Sequence, residues 1–388
     1  MIPFIDLKVN NSTPQYIQLY NYFKNEIIGE KLQYNTRLPS VRKLADYLSI
    51  STTPVEMAYG QLLSEGFIKS KPRSGYYVEK IFDGYCNIDN SVKYERETTL
   101  LRNQKFEYDF HISKNDFNYF PFSIWKRLYC QCVNEKQKDL LFYGDPQGEE
   151  ELRIEVAKYL RKYRGVVCEP TQIVIGAEQH QLTSILSFIL KEHSMKLAVE
   201  NPSYLLIPET FKLNGYEIKA INVEEDGINI DKLYDSNAKV VCVSPSHQFP
   251  KGIIMPIAKR LKLINWAKQR EGYIIEDDYD GEFRYHGRPI PALQGISQDN
   301  VIYIGGFSQV LAPAIGVNYM VLPSKLINLY EDLKFNILLE QSSSRIHQRA
   351  LSLFIQEGYL EKHIRKMRII YRRKHDIAVR SIKKFFWR

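Results

Sequence analysis

The apolar positions of this chain change period part-way along it. Between residues 14 and 28, Ile17, Tyr20, Phe23 and Ile27 recur at helical spacing, and Gly29 follows as a stop, which predicts a first helix. Ser40 then stands ahead of Val41, Leu44, Ala45 and Leu48, a capping hydroxyl before one apolar face. After a tight turn at residues 49–51, a further helix from about Thr53 presents Val55, Ala58, Tyr59 and Leu62 to the same core. Helix, short turn, helix is the arrangement that lays its second helix in the major groove of DNA. The stretch FIKSKPRSGYYVEK that follows alternates apolar and basic residues around Pro72 and Ser74-Gly75, predicting a hairpin with Lys69, Lys71 and Arg73 at its tip, placed for phosphates or the minor groove.

From residue 79 to about 105 the periodicity disappears into Asn, Asp, Lys, Glu and Thr, which reads as a linker. Beyond it, short β-branched runs alternate with helical patterns. QIVIG leads through a small-residue turn into the apolar run of LTSILSFIL, and KLAVEN gives a further strand. Residues 273–275 and 301–304 predict two buried strands that end in polar residues or glycine. Leu152, Val156 and Leu160 share a helical face after the turn at residues 144–148. Residues 326–388 are helical in pattern, through Leu333, Ile337, Leu338, Ala350, Leu353, Phe354 and Leu360. Such alternation predicts an α/β domain, whose ligands bind at the carboxyl ends of the strands.

At 388 residues the chain suggests two or three domains. Its net charge of +8 invites a nucleic-acid reading, but residues 361–388 hold eleven Lys and Arg against two acidic residues, so the remainder is nearly neutral. That excess reads as a solvated helical face, and the case for DNA rests on the N-terminal pattern. Cys86, Cys130, Cys132, Cys168 and Cys242 are scattered without CxxC spacing, as in a reduced cytoplasmic protein. No run approaches the about 20 apolar residues that span a bilayer.

Residues 14–78 resemble the winged helix-turn-helix of the GntR superfamily. Its landmarks stand here as Leu38, Pro39, Ser40, Arg42, Leu44 and Ala45, followed by Glu65, Gly66, Phe67 and Ile68. The resemblance implies double-stranded DNA as partner and puts Arg37, Ser40, Arg42, Ser51, Thr52, Thr53 and Gly75 at it, with Lys71 and Arg73 beside them. Thr52 stands where the family often has arginine, and Pro54 where it has threonine, so base readout differs.

The stretches IIEDDYDGEFRYHGRPIPALQ and VIYIGGFSQVLAPAIGVNYMVLP resemble the pyridoxal-phosphate pocket of fold-type I aminotransferases, in the version that MocR-type regulators fuse to a GntR domain. The YGDPQGEEELR and PSHQFPKG strings belong to the same resemblance. It implies that Asp277 faces the pyridine nitrogen, Tyr279 bonds the phenolic oxygen, Tyr204 packs on the ring, and His247 and Gln248 line the pocket. Gly176, Ala177 and Glu178, at the start of a helix, are the expected phosphate cradle. Glu178 is anomalous there, since a carboxylate repels a phosphate. Ser308 and Gln309 complete the set, but Gln309 stands where the cofactor lysine belongs. Its amide lone pair is delocalised into the carbonyl and forms no Schiff base. Gly306 replaces a usual hydroxyl residue and Gly316 a usual arginine, which removes two phosphate donors. Lys251, on another strand end, is a poor substitute, because imine and proton transfer need one face and one distance. Asp277, Asp278 and Asp280 lack the ligand spacing of a calcium loop, so no metal is expected.

The expected architecture is an α+β winged helix-turn-helix at residues 1–80, a linker at 81–105, and at 106–388 a three-layer α/β aminotransferase-like domain with its small C-terminal domain incomplete. An apolar face of Ile364, Met367, Ile370 and Tyr371 is then expected on the last helix for a partner subunit to cover. The function expected is that of a cytoplasmic, homodimeric transcriptional regulator with an amine or amino-acid effector. Pyridoxal 5'-phosphate is held non-covalently or has been lost. A functioning pyridoxal-phosphate aminotransferase and a decayed relic are the alternatives.

Overall fold

The computed structural model describes residues 13–80, 107–109, 114–285, 290–336 and 342–385. The chain divides into two units, Met1–Lys105 and Phe106–Arg388. The predicted linker at 81–105 and the positions of Ile337 and Leu338 lie outside the described residues.

In the smaller unit, helices α1 (Gln15–Ile28), α2 (Val41–Leu48) and α3 (Thr52–Ser64) enclose Leu19, Phe23, Leu44, Ala45, Val55, Tyr59 and Leu62, the apolar faces read from the sequence. Ser40 Oγ accepts the backbone N–H of Lys43 at 3.3 Å, so α2 starts where its capping residue stands. Ser49 closes α2 with φ of +53°, in the left-handed region, and the chain re-enters helix at Thr52. The Tyr59 hydroxyl donates to the Pro39 carbonyl at 3.0 Å, tying α3 to the entrance of α2. Strands β1 (Ile68–Lys71) and β2 (Gly75–Val78) form the antiparallel wing.

The larger unit runs α4 (Phe122–Cys132), α5 (Glu150–Arg164), β3 (Ile173–Gly176), α6 (Gln179–Leu190), β4 (Lys196–Asn201), α7 (Leu206–Leu213), β5 (Glu217–Glu224), β6 (Gly227–Ile228), α8 (Ile230–Asp235) and β7 (Val240–Val243). It continues through α9 (Ile257–Gln269), β8 (Tyr273–Asp277), β9 (Val301–Gly306), β10 (Asn318–Val321), α10 (Ser324–Asn336), α11 (Arg345–Gln356) and α12 (Tyr359–Phe385). Eight strands order as β3-β10-β9-β8-β7-β4-β5-β6. The five from β9 to β5 are parallel, while β10 runs antiparallel to both β3 and β9. Because side chains alternate across a strand, Ile173, Ile175, Tyr303, Tyr319 and Val321 join one core with α5, α11 and α12. Val174, Ile302, Ile304, Met320 and Leu322 join another with α6 and α7 on the opposite face. Helices on both faces of a mostly parallel sheet make the three-layer architecture. Among the described residues, no helix is long and apolar enough to cross a membrane.

Two expectations change. Strands β8 and β9 carry their polar ends, Asp277 and Gly305-Gly306, inside the strands, because the pairing continues through Asp277 and Ile304. The expected exposed face of the last helix is largely covered within the chain. Ile364 and Met367 are buried, and the Tyr371 hydroxyl accepts the Asp116 N–H at 3.1 Å while its ring packs on Phe283.

Candidate ligand pocket and nucleic-acid face

Antiparallel β10 brings its first residue, Asn318, level with Gly176 at the end of β3 and Gly306 at the end of β9. Beside them β8 ends in Asp277, so four strand termini meet at one edge of the sheet, where open α/β sheets place ligands. A cavity of about 460 Å³ opens there. Its floor is Asp277, Gly305, Gly306 and Asn318; one end is Ala177, Glu178, Gln179 and His180, at the start of α6. Tyr204, Phe249 and Tyr279 supply aromatic walls, and Ser308, Gln309 and Pro313 face them.

Asp277 is 6 % exposed, and its Oδ1 accepts Gln179 Nε2 at 2.8 Å. Burial pushes its carboxyl up to about 7, against the single favourable bond from Gln179 and with Asp278 and Asp280 adding repulsion. Asp278 serves the scaffold. Its Oδ2 accepts Arg164 Nε at 2.5 Å and the Tyr303 hydroxyl at 2.6 Å, while Arg164 also donates to the Gly281 carbonyl and to Ser246 Oγ. Asp280 accepts His247 Nδ1 at 2.9 Å, which raises the pKa of that imidazole. The loop bearing Ser308 and Gln309 is braced from outside, as Asn115 Nδ2 donates to the Ser308 and Gln309 carbonyls.

The predicted site residues Ala177, Glu178, Tyr204, Asp277, Tyr279, Ser308 and Gln309 therefore line one cavity. Gly176 does not; a Cβ there would meet Leu182 Cγ at 2.7 Å, so this glycine lets α6 pack on β3. His247 and Gln248 also lie outside the lining. His247 stacks on Tyr279, whose hydroxyl donates to the His247 carbonyl, and Gln248 ties the Pro202 and Phe249 carbonyls together. Lys251 is turned away, with Nζ on the Val223 carbonyl at 2.9 Å. Among the described residues no group of three or more acidic, His or Cys side chains is arranged to hold a metal. Sequence reasoning missed Gln179, Phe249 and Asn318. The one signal for Asn318 was a carboxamide at the head of the otherwise apolar VNYMVLP run.

In the smaller unit Arg37, Ser40, Arg42, Ser51, Thr52, Thr53 and Arg73 are exposed. Ser51 precedes α3 without a side-chain capping bond, and Thr52 and Thr53 open its first turn. Arg37 lies along Gly75, whose φ of +111° only glycine adopts freely. Lys71 Nζ is held by Asn35 Oδ1 at 3.0 Å over the Tyr77 ring, and Arg73 turns the hairpin at φ of +59°. Lys69 is neutralised by Glu79 at 2.8 Å, so the wing offers fewer free cations than its sequence suggests.

Residues 15–78 match the family of bacterial regulatory proteins, gntR family, and residues 110–386 match aminotransferase class I and II. The HTH-type transcriptional regulator YhdI of Bacillus subtilis (strain 168) is 39% identical over 98% of this chain and 80% of its own length. The probable rhizopine catabolism regulatory protein MocR of Rhizobium meliloti is 31% identical over 94% of this chain and 76% of its own length. The chain belongs to the MocR-type transcriptional regulators. In this MocR-type chain a GntR helix-turn-helix is joined to a fold-type I aminotransferase-like domain. That domain superposes on the Pyrococcus horikoshii kynurenine aminotransferase, solved in complex with PMP, with a TM-score of 0.62 and 25% identity over 70% of this chain and 69% of that one.

Pyridoxal phosphate fits this MocR-type pocket only in part. The ring side has its acid in Asp277 and its aromatic walls. The phosphate side does not fit: no lysine or arginine is among the described lining residues, and the Ala177 N–H is already taken by Gln181 Oε1 at 2.8 Å. The Ala177 carbonyl is taken by Asn318 Nδ2 at 3.0 Å. Gln309 supplies no amine for a covalent link.

The buried acids carry a pH signature. Asp277 and Glu200 are both pushed up to about 7 by burial, whereas in the unfolded chain such groups ionise near pH 4. Between these values the folded state holds more protons, so stability of the larger domain falls as pH rises from about 4 to 7 and is flat above. Thermal unfolding across that range tests this, and Asp277→Asn flattens the decline.

Proposed function

We propose that the winged helix-turn-helix binds operator DNA through Arg37, Arg42, Ser51, Thr52, Thr53 and the wing, and that the aminotransferase-like domain serves it as a ligand-sensing and dimerising body without Schiff-base chemistry. The observation that carries this is Gln309, an amide lining the same cavity as Asp277, with no lysine among the described lining residues. Two copies presenting paired recognition helices would read two half-sites. An amine or amino-acid effector shifts the dimer only by binding its two conformations unequally.

The exposed face of α3 carries Thr52, Thr53, Glu56, Met57 and Gln61 and no cation, so attraction to phosphates falls to Arg37, Arg42, Lys43 and Arg73. Arg42→Ala is expected to weaken binding to the protein's own upstream DNA and to reduce the slope of log affinity on log salt by about one. Equal affinity for a scrambled duplex of the same length would sink the regulator reading at these residues. Pyridoxal phosphate followed by borohydride is expected to leave no pyridoxyl group on any pocket residue by mass spectrometry. A stoichiometric adduct would return the aminotransferase reading.

A further inference from the structure

The cavity has kept the half of its chemistry that attracts positive charge and is without the half that attracts phosphate. Its charged lining is Glu178, Asp277 and Asp280, and no described lining residue is a lysine or arginine. Asp277 is the decisive group. It is 6 % exposed, it lines the cavity, and only its Oδ1 is bonded, to Gln179; Oδ2 has no partner among the described residues. The unused oxygen opens to the cavity, and a carboxylate on so buried a residue gains more from a paired cation than one in bulk water does. Around it stand Tyr204, Phe249 and Tyr279, with Tyr204 edge-on to Phe249 at 6.0 Å, an aromatic enclosure whose ring faces favour an organic cation over a hydrated inorganic one.

The anion side is poorly furnished: one of its amides is taken by the chain's own groups and an acid stands at the helix start. Gln181 Oε1 takes the Ala177 N–H and Asn318 Nδ2 lies on the Ala177 carbonyl, while Glu178 stands at the N-cap of α6 without bonding its amides and sets a negative charge beside the helix's positive end. A phosphate entering here would meet a carboxylate and no fixed cation.

We propose that this pocket is the binding site of a compact, non-phosphorylated organic cation, an amine with an apolar body, whose ammonium pairs with Asp277 between Tyr204, Phe249 and Tyr279. The proposal deepens the reading of the domain as a non-covalent sensor and rests on it. Groups facing Asp277 from the neighbouring elements are Glu200 on β4, Cys242 on β7, Asp278 and Asp280 after β8, and the neutral Gln179 on α6. Two imidazoles stand further round, His180 in the lining with Nδ1 on Thr210 Oγ1 at 3.0 Å and His247 on Asp280, and neither is bonded to Asp277, so the ligand's own charge is what lowers the Asp277 pKa on binding. Binding then releases a proton, and affinity rises with pH up to neutrality.

Calorimetry on the full chain tests this with 2-phenylethylamine, its neutral isostere 2-phenylethanol, and the pair pyridoxamine and pyridoxamine 5'-phosphate. The expected result is saturable binding of phenylethylamine at least about tenfold tighter than the alcohol, as one charge-assisted bond supplies. It weakens several-fold from pH 8 to pH 6 and is lost in Asp277→Asn. Pyridoxamine binds at least as tightly as its phosphate. Equal affinity for the alcohol, a phosphate preferred by tenfold or more, or no saturable binding by any of the four overturns the proposal. Should Asp277→Asn fail to unfold cooperatively, the comparison of amine with alcohol on the native chain decides, with Tyr204→Ala as the second variant, expected to weaken the amine more than about fivefold through lost ring contact. DNA binding and borohydride labelling of the same preparation separate the two readings. A covalent adduct refutes the non-covalent sensor itself, whereas unlabelled, DNA-binding protein that ignores amines refutes only the ligand class.

Discussion

Arg164→Met is expected to lower the stability of the larger domain by about 3–5 kcal/mol, the range for removing one partner of a buried ion pair. Arg164 is 1 % exposed, and its guanidinium donates Nε to Asp278 Oδ2 at 2.5 Å, Nη1 to the Gly281 carbonyl at 3.1 Å and Nη2 to Ser246 Oγ at 2.9 Å. Methionine fills part of the volume but leaves Asp278 a buried carboxylate whose one remaining side-chain donor among the described residues is the Tyr303 hydroxyl. It also releases the turn after β8, because Arg164 is what the Gly281 carbonyl and the Ser246 hydroxyl hold to. A second substitution separates charge from packing: Arg164→Met with Asp278→Asn removes the orphaned charge and is expected to recover a large part of the loss. Chemical unfolding followed by tryptophan fluorescence measures both, and a cost for Arg164→Met below about 1 kcal/mol would show that water reaches this pair. Asp278 adjoins Asp277, so the same variant disturbs the pocket floor.

That network marks where the sequence stopped being legible. In the pattern EELRIEVAKYLRKYRG, Arg164 reads as one of several basic residues in the last turn of a helix, where cations suit the dipole and face water. Nothing local distinguishes it from Arg161 and Lys162, because its burial comes from a loop more than a hundred residues further on. The helix-turn-helix was legible because its signals are local: a capping serine, an apolar face, a tight turn, a second face. Three residues of the pocket floor, Asp277 and Gly305-Gly306, were legible because they break otherwise apolar runs. Gln179 and Asn318 were not, since each acts only through a partner on another element. Asp277 needs a donor that α6 supplies, and Ala177 a donor that β10 supplies. The phosphate cradle was read as free amides for the same reason: the sequence shows that Ala177 precedes a helix, and not that Gln181 folds back onto it.

Restoring a side chain at Gly306 is expected to fail unless Asn318 is changed with it. A Cβ at Gly306 would lie 2.0 Å from Asn318 Oδ1 and 2.9 Å from its Cγ, but 3.4 Å from its Cβ. Gly306→Ser must therefore expel the Asn318 carboxamide, which is buried and donates to the Ala177 carbonyl. Overpacking together with an orphaned carbonyl is expected to cost about 2–4 kcal/mol. Asn318→Ala removes the obstructing atoms and leaves a contact of ordinary length, so Gly306→Ser in that background is expected to be cheaper by about 1–3 kcal/mol, a coupling that a double-mutant cycle by thermal or urea unfolding resolves. Additive effects would mean that the two side chains do not compete for this space. Gly316 adds a backbone obstacle, because its φ of +63° disfavours any arginine introduced there. Gln309→Lys made alone is accordingly expected to lose pyridoxal phosphate on desalting: it returns the amine to a pocket whose phosphate side is still occupied by Asn318. Gly306 and Asn318 are thus sterically coupled, and a lysine at position 309 alone does not alter that space.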